Sequence, residues 1–213
     1  MTAAKPRPNP FARASYLLAA HNQRQLPADA GREVAFAGRS NAGKSSALNA
    51  ICGQNALARV SKTPGRTQQL VYFELPPHAE VFLVDLPGYG YAKVPQDLQA
   101  HWQAFVGDYF ATRQALRGLV VVMDIRHPLK EYDWQMLGYA VQRGLPAHCL
   151  LTKADKLSRG AAGNALIAVR NQLSSRFADS VSVQTFSAES KAGVEAARDV
   201  VAGWLELPSE PAR

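Results

Sequence analysis

Eight consecutive residues, Gly38-Arg39-Ser40-Asn41-Ala42-Gly43-Lys44-Ser45, carry the groups needed to hold a chain of phosphates. They fit the pattern G-x-x-x-x-G-K-[S/T], and they lie between an apolar run, Val34–Ala37, and a helix-forming stretch, Ser46–Ala50. A strand–loop–helix context of this kind is what a phosphate-binding loop requires. Gly38 and Gly43 allow a turn tight enough for main-chain N–H groups to face phosphate oxygens. The start of the helix adds its positive dipole end. Lys44 supplies a compact cation for the outer phosphates, and Ser45 a hydroxyl for Mg²⁺.

Four further segments extend this chemistry. Asp85-Leu86-Pro87-Gly88 follows the apolar run Val81–Val84. An acid at that strand end can hold Mg²⁺ directly or through water, and Gly88 can bring its N–H close to a terminal phosphate. Between the two lies a polar loop, Ser61–Gln68, containing Gly65 and Arg66. A hydroxyl there could join the Mg²⁺ shell only while a third phosphate is present, which would make the loop a nucleotide sensor. Thr63 and Thr67 compete for that role. Thr152-Lys153-Ala154-Asp155 closes the run Ala147–Leu151. A carboxylate such as Asp155 accepts two hydrogen bonds from guanine, where adenine would leave it partnerless. Sites built on such a contrast discriminate by ~10⁴ or better. Lys153 can lay its methylene stem over the base. Phe186-Ser187-Ala188 completes the series, its small residues letting main-chain N–H groups reach the guanine carbonyl oxygen.

The elements that must position these groups alternate along the chain. Strand-like runs fall at Glu33–Ala37, Leu70–Leu75, Val81–Leu86, Leu119–Ile125, Ala147–Thr152 and Val181–Phe186. The later ones are almost continuously apolar, as in strands covered on both faces. Between them Leu98, Trp102, Phe105 and Tyr109 recur at helical spacing, as do Leu166, Val169, Leu173 and Phe177, and then Val194, Ala197, Val201 and Leu205. The predicted architecture is a three-layer α/β fold, a mostly parallel six-stranded sheet with helices on both faces. Ligands of such sheets bind outside the carboxyl ends of the strands, where all five segments fall.

Composition bounds the rest. The 213 residues suit one domain with a substantial core, and 47% hydrophobic with 19% charged residues describe a globular chain. The longest apolar run, Leu119–Met123, is far too short to cross a bilayer, so no membrane partner is expected. Cys52 and Cys149 have no metal-ligand spacing, and Cys149 lies within an apolar run, where an inert buried thiol is expected. A reducing cytoplasm suits both. The net charge of +7 favours an anionic macromolecule, most simply nucleic acid, although the basic residues form no single block. Residues 1–30 read as an arm, with Pro6, Pro8 and Pro10 and four basic residues before Asp29. Residues 208–213 read as a frayed tail.

With these residues in this order, the chain resembles the P-loop GTPases, and more narrowly the EngB (YsxC, YihA) ribosome-biogenesis GTP-binding proteins within the TrmE-Era-EngA-EngB-Septin-like superfamily. The resemblance runs from about Gly31 to Leu205 and is carried by EVAFAGRSNAGKSS (33–46), SKTPGRTQ (61–68), VDLPGYGYA (84–92), MDIRHPLK (123–130) and LTKADKL (151–157). It implies a Ras-like fold, GTP and GDP binding by these segments including Ser46, slow Mg²⁺-dependent hydrolysis, and a monomeric switch. It also implies work on the large ribosomal subunit precursor and its rRNA, with loss impairing division and septation. It assigns the Mg²⁺ ligands to Ser45 and Thr67, and catalysis to Lys44, Thr67 and Gly88.

Tyr89 stands where signalling GTPases carry the Gln that orients water, which implies slow intrinsic turnover. Asn41 matches the position at which related GTPases hold K⁺, and Arg66 is a rival source of that positive charge. Two other classes compete: a signalling-type GTPase with a protein effector, and a P-loop kinase or ATPase, which would need no guanine-reading Asp155. His127 reads as a loop residue at a helix entry; Trp102, Trp134 and Trp204 read as packing.

Overall fold

In a computed structural model, residues 8–58, 69–89 and 96–208 are described, with the main chain alone for 96–102. The strands are β1 (Ser15–Ala20), β2 (Arg32–Gly38), β3 (Leu70–Leu75), β4 (His78–Asp85), β5 (Leu116–Asp124), β6 (Ala147–Thr152) and β7 (Val181–Thr185). The helices are α1 (Lys44–Cys52), α2 (Gln96–Thr112), α3 (Glu131–Gln142), α4 (Arg159–Phe177) and α5 (Val194–Trp204). The sheet order is β1-β3-β4-β2-β5-β6-β7, parallel from β4 to β7 and antiparallel at β1 and β3.

The continuously apolar strands owe their composition to cover on both faces. In β2, Val34 and Phe36 pack against α1 and α5, while Ala35 and Ala37 face the layer of α2, α3 and α4. Along β5 the alternation repeats: Val120 and Val122 on the first face, Leu119, Val121 and Met123 on the second. Each fully buried large side chain contributes roughly 1.5–3 kcal/mol, and Phe36, Phe73, Phe110 and Phe186 are all buried. Cys52 and Cys149 are buried free thiols, and burial pushes the Cys52 thiol up to about 12, as an inert core residue requires.

The sheet has seven strands, not six. The extra one, β1, comes from the segment read as an arm. SYLLAA carries little β-branched character, and its edge position leaves Tyr16 60% exposed, so no inward–outward alternation marks it in the sequence. Residues before it also pack on the domain. Phe11 is fully buried, and the Asn9 side-chain amide donates to Ile51 O at 3.1 Å.

Residues 27–33 meet the far end of the sheet through a buried ion pair between Glu33 and Arg113. Such a pair is tolerable only when its remaining hydrogen-bonding capacity is filled. Tyr109 and Tyr72 hydroxyls donate to Glu33 Oε2 at 2.9 and 3.3 Å, and Arg113 donates to Pro27 O and Ala28 O at 2.9 and 3.2 Å.

Candidate functional site

Four strands bring their carboxyl ends to one side of the sheet: β2 at Gly38, β4 at Asp85, β5 at Asp124 and β6 at Thr152. Register fixes their relative heights. Phe36 pairs with Asp85, Gly38 with Val122, and Asp124 with Thr152.

Gly38 is required for a reason different from turn formation. A Cβ there would lie 2.8 Å from Val122 O, so glycine allows β2 and β5 to approach. The left-handed conformations come later in the loop, at Asn41 (φ 61°) and at Gly43 (φ 95°), which caps α1. The first-turn amides of Lys44, Ser45 and Ser46 precede the first helical hydrogen bond, Ala47 N–H to Gly43 O at 2.8 Å. They are the ones placed to meet an anion. The Ser40 and Ala42 amides are instead spent on Tyr89 O and Arg39 O, at 2.9 and 3.0 Å. Lys44 pairs with Asp85 across the loop, both side chains largely buried.

Asp85, Leu86 and Pro87 lead into Gly88 beside the loop, with Leu86 N–H held by Phe36 O at 2.9 Å. A Cβ on Gly88 would make only ordinary contact with Ser40, at 3.6 Å from its nitrogen. The protein's own packing therefore does not demand glycine there. Tyr89 bridges to Arg39 in the main chain, and its buried hydroxyl donates to Asp133 at 2.9 Å. Burial pushes both the Tyr89 phenol and the Asp133 carboxyl up.

Two adjacent residues at the end of β6 grip the phosphate loop. The Thr152 hydroxyl lies between Ala42 O and Met123 O, the latter at 3.0 Å. Lys153, left-handed at φ 59°, donates from Nζ to Asn41 O at 2.7 Å and pairs with Asp124 Oδ2 at 2.9 Å. Ala154 N–H is fixed by Phe186 O at 3.1 Å. Next to it Asp155 accepts the Ser187 hydroxyl at 2.6 Å, with Lys156 Nζ 3.2 Å from its other oxygen. The Ser187 hydrogen bond, then Lys156, hold the Asp155 carboxyl below its ordinary value.

Within Phe186-Ser187-Ala188 the first two amides are engaged inside the fold: Phe186 N–H donates to Leu151 O at 2.8 Å and Ser187 N–H to Ala192 O at 2.9 Å, while the Ser187 hydroxyl fixes Asp155. Phe186 is fully buried beneath it, and Ala188 is half-buried. Two further acids, Asp124 and Asp133, join these contacts, to Lys153 and Tyr89 respectively. Asp124 carried the same signal as Asp85, an acid ending an apolar strand. Asp133 lies inside a helix and carried none.

The sensor loop Ser61–Gln68, with Thr63, Gly65, Arg66 and Thr67, lies outside the described residues, as does the Trp102 side chain. His127 is an exposed turn residue before α3. Trp134 and Trp204 are half-buried packing residues; Arg176 stacks over Trp134 with its guanidinium carbon 4.9 Å from the ring centre. Among the described residues no three acidic, His or Cys side chains cluster as a metal cage. A Mg²⁺ that takes most of its ligands from phosphate and water needs no such cage, and Ser45 with Asp85 fits that donor set. No described helix is long and apolar enough to cross a membrane.

Residues 33–153 match the model of a family described as 50S ribosome-binding GTPase. A "Probable GTP-binding protein EngB" from Xanthomonas campestris pv. campestris is 72% identical over 198 residues, covering 93% of this chain and 95% of its own length. One of the same description from Stenotrophomonas maltophilia is 72% identical over 195 residues, covering 92% and 96%. Among solved structures, a crystal structure of a probable GTP-binding protein engB superposes with a TM-score of 0.64 over 83% of this chain and all of its own, at 19% identity.

Proposed function

Because the chain belongs to the EngB-type GTP-binding proteins of the P-loop GTPase class, we propose that it is a guanine-nucleotide switch acting in assembly of the large ribosomal subunit. It binds GTP and GDP with Mg²⁺, hydrolyses GTP slowly and works as a cytoplasmic monomer; its loss impairs division and septation. The observation that carries this reading is the double grip of β6 on the phosphate loop. Thr152 and Lys153 hold Ala42 and Asn41 while the next turn presents Asp155 with a fixed carboxylate. One rigid unit thus offers first-turn amides to phosphates and an acceptor pair to a purine.

The residues divide the work. Gly38–Ser46 wrap the phosphates, and Lys44 leaves Asp85 to neutralise the outer ones. Ser45, Thr67 and Asp85, the last through water, hold Mg²⁺, which supplies positive charge against the β- and γ-phosphates when bound. Gly88 offers its amide to the terminal phosphate, and Thr67, flanked by Gly65 and Arg66, senses it. Asp155 selects guanine, Lys153 covers it, and Ala154, Phe186, Ser187 and Ala188 shape the pocket wall. Tyr89 spends its hydroxyl on Asp133 and orients no water, so turnover is on the order of 10⁻⁴–10⁻³ s⁻¹ unassisted.

A net charge of +7 supports rRNA as the macromolecular partner. The deciding experiment pairs calorimetry with cosedimentation. GDP and a GTP analogue should bind at micromolar concentrations or better, with ATP negligible. Large subunits should retain the protein with the analogue but not with GDP, and less as salt rises. Equal affinity for ATP, or retention indifferent to nucleotide, would refute the proposal.

A further inference from the structure

Asp124 ends β5 directly opposite Thr152, and its carboxylate is unusually well occupied for a residue on the rim of the site. Oδ1 accepts from the Arg126 amide at 3.0 Å and from Arg126 Nε at 2.9 Å. Oδ2 accepts from Arg126 Nη2 at 2.6 Å and lies 2.9 Å from Lys153 Nζ. The Arg126 hydrogen bonds, with Lys153 beside them, hold this carboxyl well below the usual range, so it stays ionised. Arg126 fixes the plane of the carboxylate through a two-point contact, and the remaining lone pair is directed at Lys153.

Lys153 is constrained at both ends. Its main chain is left-handed, a conformation an L side chain adopts at a cost, and its ammonium is shared between Asn41 O and Asp124. A lysine one-third exposed would ordinarily sample many rotamers. Here its stem is stretched between the end of β6 and the phosphate loop, beside Asp155. Surface ion pairs add little to folding, so stability does not account for this arrangement. Pre-organisation of a ligand wall does, since a base landing on an ordered stem need not immobilise it.

We propose that Asp124, clamped by Arg126, is a positioning residue that holds Lys153 as a rigid wall of the purine pocket and thereby sets how long a guanine nucleotide stays bound. The inference rests on the reading of Thr152–Asp155 as the base-recognising segment. It gives the acid at the end of β5 a part in nucleotide retention equal in kind to that of Lys153, although it touches no nucleotide atom itself.

The test follows release of fluorescent GDP from the full chain, for the wild type, Asp124→Asn, Lys153→Met and the double variant. Asparagine keeps the shape but turns a donor toward the ammonium. Asp124→Asn should speed release about tenfold, with the association rate within about twofold of wild type and the thermal midpoint of the nucleotide-free protein nearly unchanged. Lys153→Met should lose a similar factor, and the double variant no more than the larger single loss. Release within about twofold of wild type in Asp124→Asn, or losses that multiply in the double variant, would overturn the proposal. Should Asp124→Asn not fold, Arg126→Ala decides in its place: release accelerated two- to threefold supports the clamp, and an unchanged rate overturns it. A wild-type protein that binds no labelled GDP would instead sink the base-pocket reading itself.

Discussion

The Tyr89 hydroxyl donates to Asp133 Oδ1 at 2.9 Å, while Asp133 Oδ2 accepts the Lys130 amide at 2.8 Å. One buried carboxylate thus caps α3 and anchors the residue after Gly88. Because the Tyr89 main chain also bonds Gly38 and Ser40, at 3.4 and 2.9 Å, the hydroxyl fixes the Asp85–Gly88 segment against the phosphate loop. Tyr89→Phe should therefore cost roughly 1–3 kcal/mol, the penalty for a buried charged acceptor losing its donor. Asp133→Ala should cost more, since the cap is lost too. Urea unfolding of both and of the double variant checks the link: costs that simply add would show that the two groups are not partners.

Asp155→Asn should weaken guanine binding about a hundredfold or more and raise affinity for xanthine nucleotides. The amide replaces one acceptor by a donor, which complements the oxygen that xanthine carries in place of the guanine amine. Competition with labelled nucleotide measures both, and unchanged guanine affinity would mean that the pocket lies elsewhere.

Hydrolysis should run severalfold faster in K⁺ than in Na⁺ at equal ionic strength, with Asn41→Ala abolishing the difference. Asn41 is an exposed, left-handed residue within the phosphate loop, where a fixed cation could offset charge developing between phosphates. Equal turnover in the two salts would leave Arg66 as the candidate for that charge.

His148 gives stability a dependence on pH. It is buried between β6 and β7, with Nδ1 2.7 Å from Ser182 Oγ and Nε2 3.0 Å from Gln184 Oε1. Gln184 Nε2 donates to Gly193 O at 2.7 Å, which turns its oxygen toward the ring, so Nε2 carries the proton and Nδ1 accepts from Ser182. Burial lowers the imidazole's pKa in the folded state. The unfolded chain thus takes up the proton first: this stability is complete above about pH 6.5 and is lost as pH falls toward the folded value. The slope should not exceed the single-proton limit of about 1.4 kcal/mol per pH unit, and a His148→Asn variant should lack it.

Much of the candidate site is legible because phosphate and purine chemistry restricts residue types at fixed spacings. Gly38–Ser45 and Thr152–Asp155 declare themselves, since few other residues would serve there. Contacts made across the fold were less visible. Ser187 was found for its size, yet it acts through its hydroxyl on Asp155, a pairing that only the approach of β6 and β7 creates. Asp133 is one acid in an ordinary amphipathic helix until Tyr89 is folded against it. Strand β1 is not legible because this edge strand has neither the alternation nor the continuous apolarity that marks its neighbours.

Asn9 and Arg198 both reach the last carbonyls of α1: Asn9 bonds Ile51 O at 3.1 Å, and Arg198 bonds Ile51 O at 2.7 Å and Ala50 O at 3.1 Å. The helix that Gly43 caps is therefore braced from behind by the segment before β1 and by α5. Trimming the chain to residues 33–153, the span that matches the family model, would remove both braces, so such a fragment should hold nucleotide more loosely than the 213-residue chain.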